Sequence, residues 1–230
     1  MSTVVAIKKA PAIFQAPSRW MDQPIHVVVI GAGGNGSEVV DTLASFHHAM
    51  LSLGHPHGLN VTIIDDSVVR ESNLVRQRFW PQDLGQFKGI ALANRYNLLM
   101  GMQWVGLAQR FPSEGCSQAM RMADLIISCV DVNSARLAIA NYPDSGLRHD
   151  AMWLDMGNGH RHGQAVFGAL ASRQRKRFPN VLDEYPEIDG LPDSDVKSCS
   201  AAESIAMQDC LVNRSVATAA MNIVWELIRR

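Results

Sequence analysis

The sequence has little cysteine, no long apolar run, no marked charge of either sign and no internal repeat or low-complexity tract. Each deficit removes a class of function. Cys116, Cys129, Cys199 and Cys210 are the only cysteines among 230 residues, and no two form a C-x-x-C pair. A structural zinc site or a redox dithiol is therefore not expected, and a reducing cytoplasm is the simplest compartment. No apolar run reaches the ~18 residues of a membrane span, and the opening stretch lacks the apolar core and cleavage pattern of a signal peptide. The formal net charge is −1, with Lys and Arg scattered along the chain, whereas a nucleic-acid binder usually carries a basic face.

What is present suits one large α/β domain: 47% of residues are apolar, and a chain of this length can bury roughly 70% of its unfolded surface without a staple. Residues 1–24, with Pro11, Pro17 and Pro24, read as an irregular arm before a domain spanning 25–230. Ile25-His-Val-Val-Val-Ile30 is a continuous run of the kind found in buried parallel strands. Gly31-Ala-Gly-Gly-Asn-Gly36 follows, and Ser37 to about Met50 has helical spacing, with Val39, Val40, Leu43, Phe46 and Met50 on one face. Leu53 to Asn60 is a turn-rich loop, and Val61-Thr-Ile-Ile64 is a second strand ending at Asp65. Strand, glycine loop, helix and strand make a βαβ unit. Ser67 to Lys88 is polar and without clear period. A helix is expected over Gly89–Met100 and strands over Gln103–Gln109 and Ala123–Val130, the latter running into Asp131. Two more strands, Met152–Met156 and Gln164–Leu170, are expected to bring antiparallel pairing into a mostly parallel, doubly wound Rossmann-like sheet. Residues 172–198 read as an exposed excursion. Ser200-x-x-Glu203 is a capping box opening the C-terminal helices of 200–229, with Leu211–Ile228 amphipathic.

The G-x-G-x-x-G loop after a strand fits dinucleotide binding in general. Gly31 permits the tight turn, Gly33 lets backbone approach phosphate, Gly36 lets helix and strand pack, and Asp65 stands where a ribose is bound. A glycine turn without a ligand, or an NAD(P)-linked oxidoreductase, would share these features. The stretch Arg70-Glu-Ser-Asn-Leu-Val-Arg-Gln-Arg-Phe79 with Asp83-Leu-Gly-Gln-Phe-Lys88 separates the readings. Hydride transfer gives no reason for cations there. Adenylation does, because its transition state gathers negative charge on the α-phosphate and the leaving pyrophosphate. Arg76 offers a planar fork and Lys88 a point charge, and Asn73 can bond a phosphate or ribose.

These segments resemble the ThiF, MoeB and ubiquitin-activating enzyme superfamily. Four motifs in order carry the resemblance over residues 25–170: Gly31-x-Gly-Gly34-x-Gly36, Ser72-Asn-Leu-x-Arg-Gln77, Gly85-Gln-x-Lys88, and Cys129-x-Asp131 with Arg136. Asp155-Met-Gly-Asn-Gly, Gly163-Gln164 and Ser198-Cys-Ser200 look most like the ThiF-family protein of PRTRC systems. The resemblance implies ATP as nucleotide and magnesium on Asp131. It implies adenylation of the C-terminal carboxylate of a small ubiquitin-like or sulfur-carrier protein ending in Gly, a homodimer, and a conjugating-enzyme-like partner. The sequence departs from the pattern at Ser67, where a second acidic residue is usual, and at Asp131-Val-Asn133, where Asp and Asn are usually adjacent. The family's trans-acting N-terminal arginine has only Arg19 as a candidate.

Cys199 precedes the Ser200 cap, where a helix start would stabilise a thiolate, so it is either the acceptor of the activated carrier or a structural cysteine. Cys129, ending a buried strand, is expected to pack. His47, His48, His55 and His57 are read as a solvated loop rather than a metal site, and His160 and His162 as a polar turn or a substrate contact. Arg173-Gln-Arg-Lys-Arg177 reads as a solvated face. A non-catalytic scaffold that binds the carrier is the remaining alternative.

Overall fold

Alternate residues of the first strand feed two separate cores, and that alternation sets the architecture. Val27 and Val29 pack with one hydrophobic cluster while Val28 and Ile30 pack with another, as a strand covered on both faces requires. The molecule, a computed structural model, describes residues 13–193 and 211–229. Its sheet contains β1 (Ile25–Ile30), β2 (Leu59–Ile64), β3 (Val105–Leu107), β4 (Leu125–Ser128), β5 (Met152–Asn158) and β6 (Gly163–Ala169). The order is β3-β2-β1-β4-β5-β6. All pairs are parallel except β5 with β6, which are antiparallel. This is the doubly wound, mostly parallel sheet expected from the sequence.

The helices are α1 (Gly34–Ser52), α2 (Lys88–Met100), α3 (Ser117–Met122), α4 (Asn133–Ala140), α5 (Ser172–Arg175), α6 (Val181–Glu184) and α7 (Val212–Ile228). Residues of α1, α2 and α7 share the core containing Val27 and Val29, and residues of α3, α4 and α6 share the other. Helix α7 lies on α1, with the Phe46 and Trp225 rings 4.9 Å apart.

Several local expectations are corrected. Helix α1 starts at Gly34, because the glycine loop itself forms its first turn. Strand β3 has three residues. The stretch after β6 is not uniformly exposed: α5 and α6 form there, with Asn180 and Val181 buried and Ile188 packed on the second core. Asn180 donates through Nδ2 to the Ala169 carbonyl, so the segment is pinned to the end of β6. The arm from residue 13 onward is likewise packed: Trp20 is buried, and Phe14 meets Phe167 and Phe178 edge-on. The histidine loop is exposed over residues 51–54 and at His57, as expected, and is pinned at His55. His55 Nδ1 accepts from the Gly58 amide, so Nε2 carries the proton donated to the Trp20 carbonyl. The Ser200–Glu203 capping box, Cys199 and Cys210 lie outside the described residues.

Candidate functional site

The strand order reverses between β1 and β4, and in such sheets the crevice outside the carboxyl ends of those two strands is where ligands bind. The sequence motifs converge there. Chain leaving β1 enters Gly31 at φ +89, and a Cβ at this position would stand 2.8 Å from the Cys129 carbonyl oxygen. A Cβ on Gly36 would stand 1.9 Å from the Gly31 carbonyl oxygen, so only glycine closes this turn, whereas the space around Gly33 is open. Open space at Gly33, beside the N-terminus of the 19-residue α1, leaves room for an anion against backbone N–H groups.

Asp65, at the end of β2, accepts from the Ala32 amide at 2.6 Å and from the Ser67 amide at 2.7 Å. It ties the second strand to the glycine loop. Lys88 opens α2 and is buried. Burial lowers its pKa below the ordinary lysine value; Asp65 and then Asp131 oppose that shift, while Arg76 and Arg70 add to it. The lysine therefore shares one electrostatic neighbourhood with residues of the β2–α2 connection and of the β4–α4 turn. Asp131 is exposed in the turn between β4 and α4.

The polar run is rigid for identifiable reasons. Asn73 Oδ1 accepts from the Arg70 amide at 2.9 Å, holding a short 3-10 turn over Glu71–Asn73. In this conformation Asn73 shapes the loop that carries Arg76. Arg78 pairs with Glu38 of α1 at 2.9 Å, and its amide donates to Ser37 Oγ. Arg95 pairs with the buried Asp83 and stacks 3.6 Å above the Trp80 ring. These contacts fasten residues 70–88 to α1 and α2 around Arg76 and Lys88.

Arg136 has a bracing position. Its Nε donates to both oxygens of Asp155 at 3.2 and 3.1 Å, and its Nη2 to the Val130 carbonyl at 2.7 Å. Burial pushes the Asp155 carboxyl up, Arg136 and Ser128 pull it down, and Trp153 Nε1 donates to Ser128 Oγ. The network fixes the chain that leaves β4 toward Asp131. Cys129 is half-buried beneath the glycine turn and packs against the core, and desolvation pushes its thiol far above the usual thiol range, in keeping with a packing role. Arg19 forms ion pairs with Asp124 and Asp150 of its own chain.

Three asparagines were not singled out as site residues. Asn35 Nδ2 donates to Asn158 Oδ1 at 2.9 Å, and Asn158 Nδ2 to Asn213 Oδ1 at 3.0 Å. This chain joins α1, the end of β5 and the first turn of α7. Only Asn158, in the Asp155–Gly159 segment, had any sequence signal. At the N-terminus of α4, the Ser134 amide donates to Asp193 Oδ1 at 2.9 Å, which brings the end of the described excursion beside the turn holding Asp131. The described residues contain no group of three or more His, Cys, Asp or Glu suited to a metal. A magnesium ion on nucleotide phosphates needs only one or two carboxylates, and the exposed Asp131 meets that requirement.

Among curated protein sequences none matches. The fold is similar to that of PaaA, at 16% identity and a TM-score of 0.61 over 91% of this chain and 65% of that one. It is also similar to E. coli MccB solved with ATP, at 19% identity and 0.54 over 88% and 54%. A third likeness is to TcdA (CsdL), at 18% identity and 0.58 over 89% and 86%. The chain thus spans under two thirds of PaaA and about half of MccB, and the likenesses establish the shared fold. The sequence itself matches the ThiF family pattern over residues 20–224, nearly the whole described domain with its glycine loop, Lys88 and Asp131 inside the match, and the chain belongs to the ThiF family.

Proposed function

We propose that this chain is an ATP-dependent adenylating enzyme acting on the C-terminal carboxylate of a small ubiquitin-like or sulfur-carrier protein. The observation that carries the reading is the convergence of the buried Lys88 with Asp65, Asp131 and Arg76 beside an open-faced Gly33. Among structural neighbours, MccB was solved with ATP and with MccA, and E. coli TcdA with AMP, which supports an adenine nucleotide in this crevice.

In this reading the α1 N-terminus and the Gly33 backbone hold phosphate oxygens, and Asp65 meets the ribose. The incoming carboxylate is ionised at neutral pH, so no protein base is required. Its oxygen bonds to the α-phosphorus while the bond from that phosphorus to the bridging oxygen of pyrophosphate breaks, giving an acyl-adenylate and pyrophosphate. Arg76 and Lys88 hold positive charge where negative charge grows, and burial strengthens the effect because little water screens it. Asp131 would hold a magnesium ion that neutralises phosphate charge when bound. Arg136 positions the turn carrying Asp131 and does not touch substrate.

The finer assignments belong to the same proposal. They are the PRTRC-type subfamily, a homodimer, a cytoplasmic location, a conjugating-enzyme-like partner, a catalytic domain running from 25 to 230, and Cys199 as acceptor of the activated carrier. The test is ATP–pyrophosphate exchange with small proteins encoded beside this chain that end in Gly. Exchange that depends on one such carrier supports the proposal; NAD+ binding without exchange contradicts it.

A further inference from the structure

The outer edge of β6 carries backbone groups with no partner among the described residues, and their position can be deduced from the hairpin. The Gly159 amide donates to the His162 carbonyl at 2.8 Å, which makes 159–162 a hydrogen-bonded pair. Antiparallel pairs alternate, and the register matches Asn158 with Gly163 and Met156 with Ala165. Gly163, Ala165, Phe167 and Ala169 therefore turn their N–H and C=O groups away from β5. Ala169 agrees: its amide donates to the Phe178 carbonyl and its carbonyl accepts from Asn180. Phe14 and Phe178 close the edge near Phe167. Among the described residues the backbones of Gly163 and Ala165 have no backbone partner on this side. A groove of about 500 Å3 lies here, with Ser215, Val216 and Ala219 of α7 along one wall and Arg161 and His162 at its upper lip.

We infer that this edge binds the extended C-terminal segment of the substrate polypeptide as an added strand; the inference rests on the adenylation proposal for its choice of occupant. Two observations favour that occupant. Main-chain donors and acceptors on an open edge recognise an extended peptide, with alternate side chains entering the groove. Antiparallel pairing to β6 points the added strand the same way as β5, so its carboxylate emerges at the end of the sheet that holds the glycine loop. From the added position to β4 is three strand spacings, roughly 14 Å, which about four or five extended residues cross. The path passes Asn158, whose amide chain links α7 at the groove to Asn35 beside the glycine loop.

The test uses the full chain and a pool of dodecapeptides, randomised at eight positions, ending in Gly-Gly with a free carboxylate. Selection is for binding without nucleotide, so the result is independent of adenylation. Enriched peptides are expected to alternate apolar residues and to lose affinity at least tenfold on C-terminal amidation. Ala165→Pro removes only an outward N–H, a change edge strands tolerate, and Ser215→Trp fills the groove. Each is expected to weaken binding tenfold or more while ATP affinity and the unfolding midpoint stay unchanged. A spin label on a cysteine side chain just before the terminal Gly-Gly, which leaves the carboxylate free, is expected to broaden the Gly163 amide resonance and not that of Ala169. No enrichment over an amidated pool, binding indifferent to both substitutions, or broadening at Ala169 would each overturn the inference. So would a dimer of this chain that Ala165→Pro dissolves, since the edge would then belong to a second copy. Loss of ATP binding by the wild-type chain, with peptide binding intact, would count against the adenylation proposal alone.

Discussion

The Asn213 side chain fills the space in which a Gly34 side chain would stand: a Cβ there would lie 2.5 Å from its Cγ, Oδ1 and Nδ2 atoms. Helix α7, more than 170 residues downstream, thus bears directly on the glycine loop. Asn213 is buried and held by Asn158, so it cannot swing aside. Gly34→Ala is expected to cost about 1–3 kcal/mol through overpacking and to weaken ATP binding. In the double variant with Asn213→Ala most of the Gly34→Ala cost should vanish, a coupling read by chemical denaturation. Additive costs would mean the two residues do not meet.

Arg76→Ala and Lys88→Ala are each expected to slow adenylation a hundredfold or more, about 3–4 kcal/mol in the barrier, as loss of one preorganised charge contact typically does. Circular dichroism should show both variants folded. Undiminished pyrophosphate exchange in both would place the phosphates elsewhere.

Lys88 supplies a pH dependence of definite sign. Burial lowers its pKa below the ordinary value of 10.5, so the cation is lost at lower pH than from an exposed lysine. The adenylation rate should fall as pH rises through that lowered pKa. Stability should move the other way across the same window, because the unfolded chain binds more protons there. Lys88→Arg keeps its charge throughout and should abolish the alkaline decline; a decline that persists belongs to another group.

Arg19→Ala is expected to destabilise the fold by about 3 kcal/mol, since it strips a partner from the buried Asp124. Arg148, at 3.6 Å from the same carboxylate, limits the loss. The Asp150 carboxyl is also affected: burial raises its pKa, yet pairing with Arg19 holds it below the ordinary aspartate value. Its stabilising share is present above that ordinary value and lost as pH falls through the lowered one, so the variant should show a weaker acid limb in unfolding. ATP affinity should be unchanged, and a large drop would link the arm to the nucleotide crevice.

Cys199→Ala separates two chemistries. If Cys199 accepts the carrier, the variant still forms the acyl-adenylate and no thioester appears on a non-reducing gel. A thiol-sensitive band that persists in the variant would remove this residue from the mechanism.

The βαβ core was legible because each signal was local. A β-branched run, glycines at fixed offsets and an acidic residue closing the second strand all act within some forty residues; β1 formed as read, and α1 and β2 formed with starts two or three residues earlier than read. The gathering of Lys88 with Asp65 and Asp131 followed from the motif order, since three strand ends of a doubly wound sheet meet at one crevice. What the sequence hid depends on distant partners. Asn213 is an ordinary amide until α7 lies on Gly34. Arg136 reads as a site cation until Asp155 is found beside it. The polar composition of 172–193 gives no hint that Asn180 will be buried through a bond to Ala169. The described part of the arm looked irregular because its order comes from Asp124, Asp150 and the His55 side chain, all far along the chain.

The central claim meets its most direct test in a calorimetric titration of the full chain with ATP and magnesium, run beside the same titration with NAD+. The account predicts saturable ATP binding that is severely weakened in Lys88→Ala, and no measurable heat with NAD+. Tight NAD+ binding with none for ATP would contradict it.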